Sequence, residues 1–516
     1  MPNPPLSRRY FFYGAALSAA VPAAGFGSTP SLKSLGYRSP NEKLNLAAIG
    51  AGGQPAADLR IAHAGRENVV ALADVDWVRG KDSFERFPTA KRYKDFRQML
   101  DKQGAEIDAV VVGPPDHMHA TCVLACMQLG KHVYCEKPLT RTAWEARLLQ
   151  KAAEKYKVAT QMGNQGYSHD ATRVACEIIW SGEIGEVTEV HAWTGRPSWP
   201  QGMATPASPS PVPDTLDWDL WLGGAAARPF TAGDAAYNDF VAARNTRYGR
   251  GPSRDNFGFY LPFNWRGFYD FGSSLIGDWG IHILGPANWA LQLGPEHLVS
   301  VECVKKDPLP PFTFPDVLTI RYDFGPRPGM GPVSVYWYHH TGGDAYLPPG
   351  MTAAEAAKIP GEGPHVGPQA GQGGFRPGSG GVVGPARNSG YNEIFVGSKG
   401  YLGTSGRGEG VGLLPGKRWA EYKLPDPYLS RSPGASSGSN HAAHCRDWVR
   451  ACKGGAPACS NFSIATKFTE WLVLGAAAVH ADGKLLWDNA KGEFTNNREV
   501  NKWVKPTFRK GWDLKL

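Results

Sequence analysis

Leu44-Asn45-Leu46-Ala47-Ala48-Ile49-Gly50-Ala51-Gly52-Gly53-Gln54-Pro55 is the stretch whose reading decides the fold. A short apolar run of this kind is what a strand buried on both faces looks like. Glycine then tolerates the positive φ of a tight turn, and proline suits the first turn of a helix. The stretch therefore reads as strand, turn, helix. The same rhythm continues outward, with apolar runs at Val69 to Ala73, Ala109 to Val112, His132 to Cys135 and Val158 to Met162. Helical segments fall between them at Pro55 to Ala64, Phe96 to Gln103, His119 to Leu129 and Trp144 to Tyr156. Such alternation argues a parallel, doubly wound α/β sheet ending near Gly163.

The glycine turn has the spacing of a dinucleotide fingerprint. Gly50 permits the turn, while Gly52 and Gly53, with Gln54 behind them, let backbone amides approach a pyrophosphate at a helix N-terminus. Pro55 stands where the third glycine is expected, which leaves the helix start intact. About 20 to 25 residues on, the next strand ends at Asp74, placed to accept hydrogen bonds from ribose hydroxyls and to repel a 2′-phosphate. NAD is favoured over NADP on that ground, although Arg79 nearby offers a partner to a phosphate. The competing reading is a glycine-rich turn that holds no ligand.

At 516 residues the chain is long enough for two domains and a large core. Its 55 Lys and Arg outnumber 47 Asp and Glu, but the cations are scattered rather than clustered, so nucleic acid is not an expected partner. Ser7-Arg8-Arg9-Tyr10-Phe11-Phe12 before the Ala-rich stretch Tyr13 to Ala24 reads as a twin-arginine export signal, residues 1–28, cleaved between Ala23 and Ser28. The apolar stretch is short of the ~20 residues that span a bilayer, so no stable membrane anchor is expected. A periplasmic or otherwise exported location and the twin-arginine translocase as a partner follow from the signal. None of the eight cysteines has C-x-x-C spacing, and no disulfide framework or metal site is expected. His339-His340 alone is too little for a metal.

Residues 29–43 read as a linker, 44–165 as the dinucleotide-binding domain and 166–516 as a second domain. There a helix at Thr172 to Trp180 precedes alternating strands at Val187 to Trp193, Val317 to Phe324, Val333 to His339 and Asn392 to Val396. A helix is expected to open near Asp278, and others at Ala442 to Ala451 and Ile464 to His480. This grouping predicts an α+β domain with a large, open, mostly antiparallel sheet. Two Gly- and Pro-rich insertions, Pro197 to Pro213 and Leu347 to Pro385, interrupt it and read as either functional or disordered.

Further motifs run through both domains. Val110-Val111-Val112-Gly113-Pro114-Pro115-Asp116-His117-Met118-His119 precedes a helix, and Gly130-Lys131-His132-Val133-Tyr134-Cys135-Glu136-Lys137-Pro138 follows it. Gly182-Glu183-Ile184-Gly185-Glu186-Val187 and Gly277-Asp278-Trp279-Gly280-Ile281-His282, with Pro286 and Trp289, come later. In these marks the chain resembles the Gfo/Idh/MocA family of oxidoreductases, which includes glucose-fructose oxidoreductase and inositol dehydrogenase. The resemblance runs well from Leu44 to Gly195 and in patches beyond. It implies a Rossmann domain followed by a substrate domain, with Pro115, Asp116, His119, Glu136 and Lys137 at the cofactor. It also implies a catalytic trio of Lys137, Asp278 and His282.

Chemistry supports those roles. Oxidising an alcohol needs a base for the hydroxyl proton, and imidazole suits neutral pH; His282 is the candidate. Asp278, four residues earlier, shares its helical face and is positioned to orient the ring or bind substrate. Lys137, at the carboxyl end of a sheet strand, can stabilise a developing alkoxide. The bland alternatives are an N-cap for Asp278, a core histidine and a surface cation. Asn164, Gln165 and His169, in place of an Arg-rich segment of many relatives, are candidates to line a polyol pocket.

Three functions stay open at this point. The first is NAD(P)-dependent oxidation of a CH–OH group in a sugar, polyol or glycoside, with a tightly held cofactor. The second is glycoside hydrolysis through transient oxidation at carbon 3, and the third is non-catalytic binding of a sugar or cofactor. The resemblance also implies a homodimer or homotetramer.

Overall fold

The computed structural model describes residues 42–195, 197–247, 258–339, 346–356, 390–431 and 440–516. The expected export signal, nearly all of the linker and most of the 347–385 insertion lie outside the described residues.

Strand β1 (Asn45–Ile49) runs into helix α1 (Gln54–His63), followed by β2 (Asn68–Ala73), α2 (Lys81–Arg86), β3 (Lys91–Tyr93), α3 (Phe96–Gln103), β4 (Ala109–Val112), α4 (Asp116–Gln128), β5 (His132–Cys135), α5 (Ala143–Tyr156) and β6 (Thr160–Met162). These six strands pair in parallel in the order β3-β2-β1-β4-β5-β6. Strand β4 is buried throughout, as a parallel strand covered on both faces must be. Local sequence starts α5 firmly: Thr142 Oγ1 accepts from the Glu145 amide, and Glu145 Oε2 accepts from the Thr142 amide at 2.9 Å. The chain order reverses between β1 and β4, and a crevice opens at the carboxyl ends of those two strands.

The second half contains α6 (Asp170–Trp180), β7 (Val187–Thr194), α7 (Trp218–Leu222), α8 (Ala235–Arg247), α9 (Ser274–Asp278), α10 (Gly280–Ile283), α11 (Gly285–Ala290), β8 (Leu298–Lys306), β9 (Leu318–Phe324), β10 (Val333–His339), β11 (Glu393–Gly397), β12 (Gly400–Ser405), β13 (Gly410–Leu414), α12 (Gly416–Glu421), α13 (Asn440–Cys452), α14 (Phe462–Ala478), β14 (Leu485–Asp488), β15 (Glu493–Phe494) and α15 (Asn501–Val504). Among the described residues nine strands form one sheet, ordered β13-β12-β11-β7-β10-β9-β8-β14-β15. Only the β7–β10 pair is parallel. Val333, Val335, Trp337 and His339 of β10 are buried while Ser334, Tyr336 and Tyr338 are half-buried, so one face is covered and the other open. The expected fold class is what the chain adopts.

Differences from the sequence reading have local causes. Strand β3, Lys-Arg-Tyr, has no apolar run to announce it, and glycines dilute the alternation of β12 and β13. The first part of the 197–213 insertion is packed rather than loose: Trp199 donates to Gln201 Oε1 at 2.9 Å, and Gln201 donates to the Pro315 carbonyl at 2.6 Å. Asp278 closes α9 instead of opening a helix, and the chain breaks at Trp279 before α10. All eight cysteines are free thiols. Among the described residues no helix is long and apolar enough to cross a membrane.

The two sheets are joined by packing and by buried polar ties. Arg147 of α5 reaches Glu470 of α14 at 2.6 Å, and Glu470 is almost wholly buried. Burial lifts the Glu470 carboxyl to about 7 even though Arg147 opposes the rise. A carboxyl with a raised folded-state pKa loses stability as pH climbs from its ordinary value toward the raised one. Arg147→Met is therefore expected to destabilise by about 3 kcal/mol, with a larger fall in melting temperature at pH 8 than at pH 5. Glu470→Gln, which leaves no buried acid, is expected to lose less and to show no such pH trend.

Candidate active site

The turn after β1 is shaped by close approaches that exclude side chains. Gly50 has φ of 80°, and a Cβ there would lie 2.8 Å from the Pro114 nitrogen on the loop after β4. A Cβ on Gly52 would lie 2.3 Å from the Arg79 carbonyl oxygen. Gly53, with φ of 64°, stands at the N-cap of α1 with no side-chain cap, so the first amides of that helix face outward. Asp74, at the end of β2, accepts from the amides of Ala51 (2.8 Å) and Gly52 (3.2 Å) through Oδ2, and from Asp76 (2.9 Å) through Oδ1. Its carboxylate braces the glycine turn before it meets any ligand. Burial nevertheless raises its pKa to about 6. Arg79 packs across the same turn, its Nη2 2.7 Å from where a Gly53 Cβ would be.

Across the crevice the loop after β5 carries Glu136 and Lys137. Lys137 Nζ donates to Asp278 Oδ1 at 2.8 Å and to the Asp278 carbonyl at 3.0 Å. Arg266 Nε donates to the same Oδ1 at 3.0 Å. Burial opposes ionisation of Asp278, but Lys137 and Arg266 outweigh it and hold the carboxyl below its ordinary range. Asp278 is thus committed to two cations and does not orient the imidazole, which corrects one of the roles expected for it. His282 is buried, with neither ring nitrogen hydrogen-bonded. Burial, then Arg407 and Lys137, keep it well below 6.5, so its ring is neutral.

Neighbouring groups frame this arrangement. Asp116, in the first turn of α4, accepts from Ser273 Oγ at 3.1 Å, and burial lifts it to about 7. His119 faces the carbonyls of Pro114 and Pro138 at 2.8 Å each, pinning the loops after β4 and β5. Burial lowers it to about 4, so one ring N–H serves one carbonyl at a time. Glu136 is pushed well above its ordinary value by burial and by Asp58 beside it. Asp58 of α1 itself rises to about 7 through burial and meets His441 Nε2 of α13 through Oδ1. Donor atoms of Asp58, His441 and Cys445 lie within 4.8 Å of one another, a grouping that no local motif announces.

A cleft of about 600 Å³ gathers these pieces. Gly50, Gly52, Gly53, Gln54, Asp74, Pro115, Asp116, His119, Glu136, Lys137, Gln165, Asp278 and His282 all line it. Asn164 and His169 do not: Asn164 is buried beneath, and His169 accepts from the Ala171 amide at 3.0 Å as the cap of α6. Of the three expected polyol contacts only Gln165 faces the cleft. Trp265, Arg266, Trp279 and Arg407 also line it; Trp279 belongs to the motif that holds Asp278 and His282, Trp265 and Arg266 to the aromatic-rich stretch Asn264 to Phe271, and Arg407 carries no sequence signal.

The volume, the outward amides of α1 and the bare glycine turn suit a dinucleotide. Residues 44–164 match the model of the Gfo/Idh/MocA family, described as an oxidoreductase family with an NAD-binding Rossmann fold. This segment is similar to the NAD-binding domain of that family. The chain is 32% identical over 170 residues to inositol 2-dehydrogenase of Rhodococcus erythropolis, covering 32% of this chain and 48% of that one. It is 27% identical over 134 residues to levoglucosan dehydrogenase of Pseudarthrobacter phenanthrenivorans, covering 25% and 34%. The chain spans less than half the length of these relatives. The crystal structure of the WlbA dehydrogenase of Chromobacterium violaceum, in complex with NADH and UDP-GlcNAcA, superposes with a TM-score of 0.54 at 16% identity, covering 88% of this chain and 98% of that one. At that identity the likeness is one of fold.

Gly50→Ala places a methyl group against Pro114 at a positive φ. It is expected to weaken NADH binding by roughly tenfold or more. Fluorescence titration of bound NADH checks this, and wild-type affinity in the variant would show that the dinucleotide sits elsewhere.

Proposed function

We propose that this chain is an exported NAD-dependent oxidoreductase acting on a CH–OH group of a sugar, polyol or glycoside. The observation that carries the reading is a buried, neutral, unpartnered imidazole, His282, sharing one cleft with a lysine held by Asp278 and with the glycine turn of an NAD-binding domain. The dinucleotide, when bound, supplies the hydride acceptor. The glycine turn and first turn of α1 would hold its pyrophosphate, Asp74 a ribose, and Glu136 with Lys137 the nicotinamide end. Asp74 favours NAD over NADP because a second negative group beside it is repelled.

The protein's own groups then have distinct tasks. His282 takes the hydroxyl proton onto the ring nitrogen that carries the lone pair. Lys137, held beside Asp278, presents its remaining N–H to the oxygen as negative charge builds on it. Asp278 fixes the lysine in place, with Arg266 sharing the load. Proposed with this chemistry are loading of the cofactor before twin-arginine export and its retention afterwards. Assembly as a homodimer or homotetramer is proposed through the open face of the nine-stranded sheet, near which β8 exposes Val299 and Val304.

His282→Ala is expected to lower kcat about 100-fold or more while leaving NADH affinity close to wild type. Because the free-enzyme imidazole is held well below 6.5, the acid limb of kcat/KM is expected below that pH. A sugar, polyol and glycoside panel followed at the nicotinamide absorbance, with mass spectrometry of the cofactor in the native protein, tests the reading directly. Unchanged turnover in His282→Ala overturns it, and glycoside hydrolysis without net NADH replaces it by the hydrolytic reaction.

A further inference from the structure

The turn joining β12 to β13 presents one side chain, Arg407, to the cleft. That turn is firmly built. Gly406 and Gly408 flank Arg407 with φ of 65° and 80°. The Arg407 carbonyl oxygen lies so close to Gly166 that a Cβ there would be 1.6 Å away. Thr172 Oγ1 lies 3.0 Å from the Gly166 carbonyl and 3.1 Å from the Gly408 carbonyl, its one proton serving either, while Asn392 Nδ2 donates to the Gly406 carbonyl at 3.1 Å. The backbone that carries this arginine is therefore fixed before any ligand arrives.

The guanidinium itself is uncommitted. It lies 5.4 Å from the centroid of the Trp279 ring, and among the described residues no hydrogen bond or ion pair of its side chain is found. Of the other cations lining the cleft, Lys137 and Arg266 share Asp278, while Arg79 packs on the glycine turn and Lys94 lies over Trp77. The acids nearby are engaged or reluctant to ionise. Asp58 is committed to His441, and burial lifts Asp116 to about 7. Around His282 the cleft thus gathers Lys137, Arg266 and Arg407 against the carboxylate of Asp278, with burial holding Asp116 and Glu136 back from ionising, and an oxidised nicotinamide ring would add a further positive charge. A neutral sugar closing this space would leave the guanidinium desolvated and unpaired, which is costly.

We infer that the sugar taken by this site bears a carboxylate, as a hexuronic acid or its glycoside does, and that Arg407 receives that group. The inference rests on the oxidoreductase reading above. Guanidinium and carboxylate match in a planar, two-pronged geometry that an ammonium cannot offer. The same contact prepares the base. Arg407 ranks after burial among the causes that depress His282, ahead of Lys137 and His444. A carboxylate on Arg407 cancels that influence and leaves the imidazole more willing to accept a proton, so binding an acidic sugar and readying His282 become one event.

Calorimetric titration of the full-length, NADH-loaded protein tests the inference, using D-glucuronate, D-galacturonate, D-mannuronate and their methyl glycosides against the corresponding neutral hexoses and methyl hexosides. At least one uronate is expected to bind roughly 10- to 100-fold tighter than its neutral counterpart. Arg407→Met is expected to erase that preference, and Arg407→Lys to retain part of it, with NADH affinity and melting temperature close to wild type in both. Neutral sugars binding as well as the acids, or better, overturn the inference while leaving the oxidoreductase reading standing. Loss of NADH affinity in Arg407→Met overturns it differently, assigning the guanidinium to the dinucleotide's phosphates. If no sugar of either kind binds and none yields NADH with NAD, the oxidoreductase reading falls and takes this inference with it.

Discussion

The contact between the Lys137 ammonium and the Asp278 carboxylate is the constraint on which the rest of this site depends. It ties the loop after the fifth strand of the parallel sheet to the end of a short helix from the second half of the chain. Both groups are taken out of water, and a buried pair of this kind gains stability only where geometry and further hydrogen bonds offset desolvation. Here Arg266 supplies the further bond, and the Asp278 backbone carbonyl takes a second one from the lysine. Oδ1 of the carboxylate takes both cations, and His282, four residues on and past the break at Trp279, is left with two ring nitrogens free of hydrogen bonds.

That division of labour differs from a histidine oriented by an acid. An imidazole bonded to a carboxylate is held basic and has a fixed tautomer. His282 is instead depressed by burial and by cations, and is free at both nitrogens. Its basicity, set first by burial, is therefore open to change by what enters the cleft, because any group that screens Arg407 or Lys137 alters the proton affinity of the ring. The positive field that depresses the base also favours negative charge growing on a substrate oxygen.

Much of the architecture was legible because it is written in local periodicity. The run Leu44 to Ile49, the glycines after it and the apolar strands up to Met162 announce a parallel sheet with its crevice at the glycine turn, and His282 and Lys137 stand in motifs that point to that crevice. What could not be read is what depends on distant pairing. Arg266 stands in a short helical turn among aromatics and Arg407 between two glycines, where nothing local announces a cleft, and Asp58 finds His441 across 383 residues. The spacing of Asp278 and His282 suggested one continuous helix, but the break at Trp279 turns the aspartate toward Lys137 instead. Asp74 shows the same limit: its position after β2 was evident, whereas its bonds to the Ala51 and Gly52 amides depend on how the turn folds back.

The most direct measurement is a crystal structure of the full-length protein with NADH bound. The account expects the pyrophosphate over Gly52 and Gly53 at the start of the first helix, and the nicotinamide ring between Lys137 and His282 with the Lys137–Asp278 contact intact. A nicotinamide ring lying away from His282, or a lysine pulled off Asp278 to reach the phosphates, would contradict it.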